Sequence, residues 1–264
     1  ETKHDNLWEN STEFLVPSDK YADARPSLIS VRGFSNDKLE FIYVSHRIYK
    51  GKPALDVLPY VRDELGEAET LEITLKDKYK DIEVVVSLSV FDKYDCIIRN
   101  TTIKNNTDKP FTLEKAMSLS HDFARADFDL IHFPGEWCFE RQFRREKLSE
   151  GNKVVQSNTG RSSHEHNPFV MLADKDATEK SGEVYAFSIM YSGTFKCNAC
   201  VGKTGVTRLN MGINDESFSY LLNSGDSFVL PEGISAYSSN GFGDLSRNFH
   251  DLVRNNIVKD NNVE

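Results

Sequence analysis

Cysteine is scarce, with four in 264 residues, at positions 96, 138, 197 and 200. That is too few to frame a disulfide-stapled fold in a chain of this length. Positive charge is in deficit. Lys and Arg number 32 against 41 Asp and Glu, a formal charge of −9. The clustered cations that drive phosphate binding are therefore missing, and nucleic acid is not an expected partner. No apolar run approaches the ~18 residues of a membrane-spanning helix, so no membrane partner is expected either. No basic stretch leading into an apolar one marks a secretory leader. Together with the few cysteines, this makes a reducing, cytoplasmic setting the expectation. The first residue is Glu rather than Met, so the native N-terminus is expected to be missing. Repeats, low-complexity tracts and linker-like shifts in composition are lacking too, which argues for one domain.

What the chain has is aromatic residues, 11% of the total with Phe and Tyr leading, and many short β-branched or alternating runs. They fall at 27–32, 39–48, 70–76, 82–92, 96–104, 111–120, 128–133, 137–143 and 154–157. Further runs follow at 169–173, 184–191, 195–201, 206–211, 218–222, 227–230 and 234–237. Turn clusters rich in Gly, Asn, Asp and Ser separate them, as at 35–37, 105–108, 180–182, 202–205 and 223–226. Short strands at this spacing predict an all-β sandwich or barrel. The period changes at the end. Leu245, Phe249, Leu252, Val253 and Ile257 recur at helical spacing, an amphipathic stripe with Asp244 or Ser246 placed as cap. The predicted organisation is a loop or frayed segment over 1–20, a β domain over 21–257 that includes a terminal helix at 242–257, and a tail over 258–264.

Few residue constellations point to chemistry. Cys197-Asn-Ala-Cys200 has redox or metal spacing, but it lies in a strand-like run that splays residues i and i+3 to opposite faces. Two thiols without a metal are expected. His164 and His166 could share a metal from one face of a strand, yet their surroundings are turn-like and no second set of ligands completes a site. No metal and no cofactor are expected. Lys93-Tyr94-Asp95 resembles the strand end that carries the nucleophile of several α-galactosidases, but the β/α alternation of a barrel is missing here, and a solvated turn is favoured. Asp122, Asp127 and Asp129, with Glu136, could offer a glycosidase carboxylate pair only if two of them straddled a bond at ~5–10 Å. Solvated loop acids are the simpler reading. Trp137 lies in a segment rich in Glu and Arg, suited either to stacking on a sugar ring or to packing in a core or seam.

Longer strings carry a resemblance. They are SHRIYKGKP (45–53), EAETLEITLKD (67–77), DFARADFDLIHFPGEW (122–137), GRSSHEHNPF (160–169), GEVYAFSIMYSGTF (182–195), TRLNMGINDESFSYLL (207–222), SGDSFVLPE (224–232) and FHDLVRNNI (249–257). Over about 21–257 the chain resembles the N-terminal domain of bacterial α-galactosidases of glycoside hydrolase family 36. The resemblance implies a β-supersandwich, two large and mostly antiparallel sheets face to face, with a helix leading into a (β/α)8 barrel. It implies that both catalytic aspartates lie on that barrel, so no catalytic residue is expected in this chain. It also implies an accessory role in a retaining hydrolase of terminal α-galactosyl residues, with raffinose-type oligosaccharides as substrates and a homo-oligomeric parent. The family's Gly-Asp-Phe-Arg segment corresponds to Ala22-Asp23-Ala24-Arg25. Asp23, Trp137, Arg161 and His164 are the candidates for a substrate-binding or barrel-facing surface. The alternative is a free-standing sugar-binding module with Trp8 or Trp137 as its platform.

Overall fold

The computed structural model describes residues 15–17, 26–162 and 165–258. The strands run, in chain order, β1 (Ile29–Arg32), β2 (Phe41–Lys50), β3 (Glu69–Asp77), β4 (Ile82–Phe91), β5 (Cys96–Asn105), β6 (Phe111–Phe123), β7 (Phe128–His132) and β8 (Arg144–Lys147). They continue as β9 (Gly151–Ser157), β10 (Phe169–Asp174), β11 (Val184–Ile189), β12 (Phe195–Val201), β13 (Thr207–Ile213), β14 (Tyr220–Leu222), β15 (Ser227–Val229) and β16 (Gly233–Ser238). One helix, α1 (Phe242–Leu252), follows and widens into a π-helical turn at Val253–Ile257.

Two antiparallel sheets result. The smaller has the order β1-β6-β13-β12-β9, with β14 also on β6. The larger runs β2-β3-β4-β5-β16-β11-β10-β7-β8, with β15 also on β5. The alternation of side chains explains the layering. On β10 and β11, Val170, Leu172, Phe187 and Ile189 point into the core shared with the small sheet. Met171, Ala173, Val184 and Ala186 point the other way, into a second core under α1. The central strands of the large sheet are thus covered on both faces, and they read as nearly continuous apolar runs. A third cluster, with Leu75, Val84, Ile103, Phe111 and Leu113, fills the other end of the sandwich.

The all-β reading, the paired sheets and the terminal helix hold, and two details change. The run at 137–143 is not a strand. Glu136 and Phe139 exchange backbone hydrogen bonds at 3.2 and 2.9 Å around a two-residue turn, and pairing resumes only at β8. That strand reads Arg-Arg-Glu-Lys and has no apolar signal, because it is a short outer strand at the sheet edge. The helix begins at Phe242, so its cap is Gly241 rather than Asp244 or Ser246. Gly241 has φ +82°, and a Cβ there would lie 2.2 Å from the Thr178 carbonyl oxygen. The loop at 178–181 approaches too closely for any side chain. Asp244 instead accepts a hydrogen bond from Ser238 Oγ at 2.9 Å, tying the first turn of α1 to β16.

A polar contact bridges the sheets. His121 on β6 meets Ser235 Oγ on β16 through Nε2 at 2.8 Å, with the Phe187 ring 5.1 Å away. Burial, assisted by the Arg99 cation, pushes the imidazole down to about 4. The folded state therefore holds His121 neutral, while the unfolded chain protonates it near its ordinary value. Its contribution is complete above ~6.5 and is lost as pH falls from there toward 4, amounting to up to about 3 kcal/mol. Urea unfolding at pH 7 and pH 4.5 is expected to show a smaller acid loss for His121→Gln than for the wild type.

Candidate functional site

The face of the large sheet that carries α1 collects the features the sandwich itself does not need. Leu245 and Leu252 are buried against it. Aromatic rings extend the contact outward. Phe249 meets Phe169 edge-on at 5.2 Å, Phe169 lies 6.0 Å from Phe133, and Phe133 lies 6.0 Å from Phe143. Phe143 meets Phe242 of the helix at 6.5 Å. These rings are the foot of the turn that projects Trp137, which is 82% exposed, and Phe139, 63% exposed.

That turn is built rigidly. Cys138 and Arg141 hold φ of +63° and +56°, two of the three non-glycine residues in the left-handed region among those described. Gly135 has no room for a side chain, since a Cβ would come within 2.5 Å of Glu140 Cα. Left-handed non-glycine residues persist only where the surroundings over-determine them, and they gather at functional segments. The turn is also tied to the polar stretch that follows β9. Gly135 N–H donates to the Glu165 carbonyl at 3.0 Å, and Pro134 bridges His166. Under it, His132 meets Glu146 Oε1 through Nε2 at 2.9 Å, with the His166 ring 5.9 Å away.

Of the sequence candidates, Trp137 is solvent-facing at the tip of this turn. Arg161 is exposed in the adjoining loop, where its carbonyl accepts from Ser157 Oγ at 2.6 Å. Asp23, His164 and Trp8 lie outside the described residues. Of the acids weighed as a hydrolytic pair, Glu136 is exposed at the base of the Trp137 turn and the other three are each held by an arginine. Arg208 grips Asp122 with two bonds of 2.6 Å, Arg125 binds Asp127 at 2.7 Å and Arg145 binds Asp129 at 2.7 Å. Arg145 also donates to the carbonyls of Asp174, Lys175 and Ala177, so Asp129 anchors a loop. Asp95 ends a single 3-10 turn at Asp92–Tyr94 and accepts from Asn248 on α1 at 3.2 Å, while the buried Tyr94 hydroxyl accepts from Asn255 at 3.0 Å. The Lys-Tyr-Asp tripeptide is therefore a seat for the helix.

One arrangement escaped sequence reasoning. The segment 51–66 crosses the large sheet as a strap, with Lys52, Pro53 and Leu55 beside Ser87 and Ser89 of β4 and Ile98 and Asn100 of β5. Asp63 closes it, accepting from the backbone N–H groups of Lys52, Glu67 and Ala68 at 2.8–3.2 Å. Inside the strap the ammonium of Lys52 pairs with Glu232, their side chains 3% and 0% exposed. Glu232 Oε2 also accepts from Val61 N–H at 2.7 Å. Burial pushes the Glu232 carboxyl up, against the pull of Lys52. The strap then grips the end of the helix. Arg62 N–H donates to the Asn256 carbonyl at 2.8 Å, and Asn256 Nδ2 returns a bond to the Arg62 carbonyl at 2.7 Å. The π-helical turn is what aims Asn256 inward.

Cys197 lies in the core between the sheets, and burial pushes its thiol up to about 12. Cys96 is raised to about 12 as well, by burial and then by the Asp95 charge. Cys200 is 2% exposed on the same strand, and Cys138 is exposed at the Trp137 turn. Their distribution suits packing rather than thiol chemistry.

Two packed antiparallel sheets with a helix and an aromatic turn on one outer face define an all-β domain whose polar groups are engaged in holding structure. The model of the glycosyl hydrolase family 36 N-terminal domain matches residues 2–223, and the chain belongs to that family. α-Galactosidase AgaA of Geobacillus stearothermophilus is 42% identical over 219 residues, which are 82% of this chain and 30% of that protein. α-Galactosidase 2 of Hypocrea jecorina is 38% identical over 220 residues, again 30% of its length. The crystal structure of an AgaA variant in complex with stachyose superposes with a TM-score of 0.90 at 39% identity, covering 92% of this chain and 34% of that one. The chain thus spans about a third of the length of the relatives it matches.

Two outcomes are expected. In the native protein a thiol reagent should modify Cys138 alone, and all four cysteines after denaturation; fast native labelling of Cys197 would contradict its core position. Lys52→Met should cost about 3 kcal/mol at pH 7, because it leaves the Glu232 carboxylate buried without its cation. With the Glu232 pKa raised in the folded state, protonation relieves the defect, so unfolding curves should show the penalty shrinking as pH falls.

Proposed function

We propose that this domain is the N-terminal accessory part of a retaining α-galactosidase, acting on terminal α-galactosyl residues of raffinose-type oligosaccharides. Catalysis would belong to a (β/α)8 barrel that this sequence does not contain. Two named relatives are α-galactosidases more than three times as long as the matched region, and one neighbouring structure holds stachyose. The domain's own acids support the division of labour, since Asp122, Asp127 and Asp129 are each spent on an arginine. A retaining mechanism needs two carboxyl groups about 5 Å apart and open to the sugar.

The observation that carries the docking part of this reading is the exposed, strained aromatic turn beside α1. An apolar tip held by left-handed residues is a poor solvent loop and a good interdomain contact. Trp137, Phe139 and Arg161 would face the barrel, and the strap-held exit of α1 would set the angle at which the barrel follows; the other two candidates for that surface, Asp23 and His164, lie outside the described residues. A cytoplasmic setting and a homo-oligomeric parent belong to the same proposal.

The isolated chain is expected not to turn over a chromogenic α-galactoside. In the longer protein, Trp137→Ala is expected to lower thermal stability or activity, whereas in the isolated chain it should change stability by less than about 0.5 kcal/mol. Equal effects in both settings would refute the docking role. Calorimetric binding of galactose or stachyose to the isolated chain, lost in Trp137→Ala, would replace it with a sugar-binding module.

A further inference from the structure

Two histidines lie beneath the Trp137 turn, and the preceding reading makes no use of them. His132 ends β7 and is 5% exposed. His166 belongs to the polar stretch after β9 and bridges Pro134 through the backbone. Their ring centroids are 5.9 Å apart. His132 commits its Nε2 to Glu146 of β8 at 2.9 Å, and the other oxygen of Glu146 is held by the Lys153 ammonium of β9. What is left over is the Nδ1 of each ring. Both atoms are withdrawn from solvent, and neither has a hydrogen-bond partner among the described residues.

That arrangement suits neutral rings and opposes charged ones. A neutral imidazole carries one proton, and on His132 the bond to Glu146 assigns it to Nε2, so Nδ1 is a bare lone pair. Protonation would turn Nδ1 into a donor with no acceptor, inside a site that excludes water. A second proton, on His166, would set two like charges side by side.

The surrounding charges do not relieve this. Glu146 is already shared between His132 and Lys153, and Arg144 lies opposite His132 on β8. Burial, and then the neighbouring His132, push the His166 imidazole below its ordinary value. Glu165 beside it pulls the other way, and Lys153 adds to the depression. The contacts that tie the turn down sit on the same residues. Gly135 N–H donates to the Glu165 carbonyl at 3.0 Å, and Gln142 N–H donates to the Pro134 carbonyl at 2.7 Å, across the base of the turn.

We propose that His132 and His166 form an acid-sensitive latch: as neutral rings they seat the stretch 165–168 under the Trp137 turn, and their protonation releases that stretch and loosens the turn. The sign follows from linkage. The released form takes up protons near the ordinary histidine value of about 6.5 and the closed form only below it, so the latch is closed at neutral pH and opens as pH falls through the 6–5 range. As a control on domain docking the latch rests on the preceding reading. As a property of the turn it is tested in the isolated chain.

The measurement is amide exchange of the 264-residue chain at pH 7.5 and pH 5, each rate corrected for the intrinsic effect of pH. Protection at Gly135 and Gln142 is expected to fall at least about tenfold on acidification, the effect of one pKa unit. Amides of β12 and β13 should keep theirs, which separates the latch from any acid loss through His121 in the core. His166→Gln, which cannot take up the proton, should abolish the pH dependence at Gly135, whereas His250→Gln, exposed on α1, should leave it as it was. A histidine titration by NMR on the unmodified chain needs no variant to fold, and it should show His166 protonating over the same range in which protection at Gly135 is lost. Protection at Gly135 that ignores pH, a loss that persists in His166→Gln, or a His166 titration that leaves Gly135 unaffected would overturn the proposal. None of these results would touch the α-galactosidase reading, which is tested by turnover, or the docking role, which is tested by Trp137→Ala at neutral pH.

Discussion

Burial on both faces of the strands β16, β11, β10 and β7 is the constraint that the rest of the structure answers. One face is covered by the small sheet, through Phe128, Leu130, Leu172 and Phe187. The other needs a cover of its own, because Ile131, Met171, Ala186 and Ile234 point away from that sheet. The helix α1 is the cover. Roughly 25 cal/mol per Å² of apolar surface withheld from water is what holds it there, since its cap is a glycine without a side-chain hydrogen bond. Small residues on the outward side, Ala173, Ala186 and Ala236, let the helix lie close.

Polar groups then fix what apolar burial leaves undirected. Hydrophobic attraction would hold α1 against the sheet at many angles. Asp244 on Ser238, Asn248 on Asp95 and Asn255 on Tyr94 select one. The strap completes the set. The buried Lys52–Glu232 pair is weak evidence for net stability, since desolvation offsets much of the attraction, but it is strong in geometry. It places Val61 and Arg62 where Arg62 and Asn256 can exchange two hydrogen bonds. Residues more than 190 positions apart thereby share one small network, and the direction in which the chain leaves α1 follows from it.

How much of this could be read from the sequence depended on whether a feature was local. Period-two runs such as 82–92 and 96–104 announced β4 and β5, and the i, i+4, i+7 stripe announced α1, because burial on one face writes itself into neighbouring positions. The Trp137 turn was mistaken for a strand, since Trp, Phe and Phe at alternate sites look like a buried face. Only Gly135 and two left-handed residues contradict it, and a conformational angle has no letter. β8 was invisible for the opposite reason, being an edge strand with nothing apolar to bury. The strap pair was out of reach altogether, for nothing near Lys52 points to Glu232. The arginine partners of Asp122, Asp127 and Asp129 were equally out of reach, since each pairing is made by the fold and not by the spacing of the acids. Asp23, proposed on resemblance, and His164, proposed from the polar residue types around it, lie outside the described residues.

The contrast between the two faces of the domain bears on what each can do. The helix face is over-determined: rings in a chain from Phe249 to Phe143, a strap, a caged glycine and left-handed residues at 138 and 141 all hold one shape before any partner arrives. A surface so prepared loses little conformational entropy on contact, which suits a fixed neighbour joined through the same chain. The β2 edge is determined only along its backbone, with side chains open on both faces. The helix face ends the large sheet by covering it and the β2 side by leaving its strand uncovered among the described residues, so shape is fixed by packing on one side and by the backbone ladder on the other.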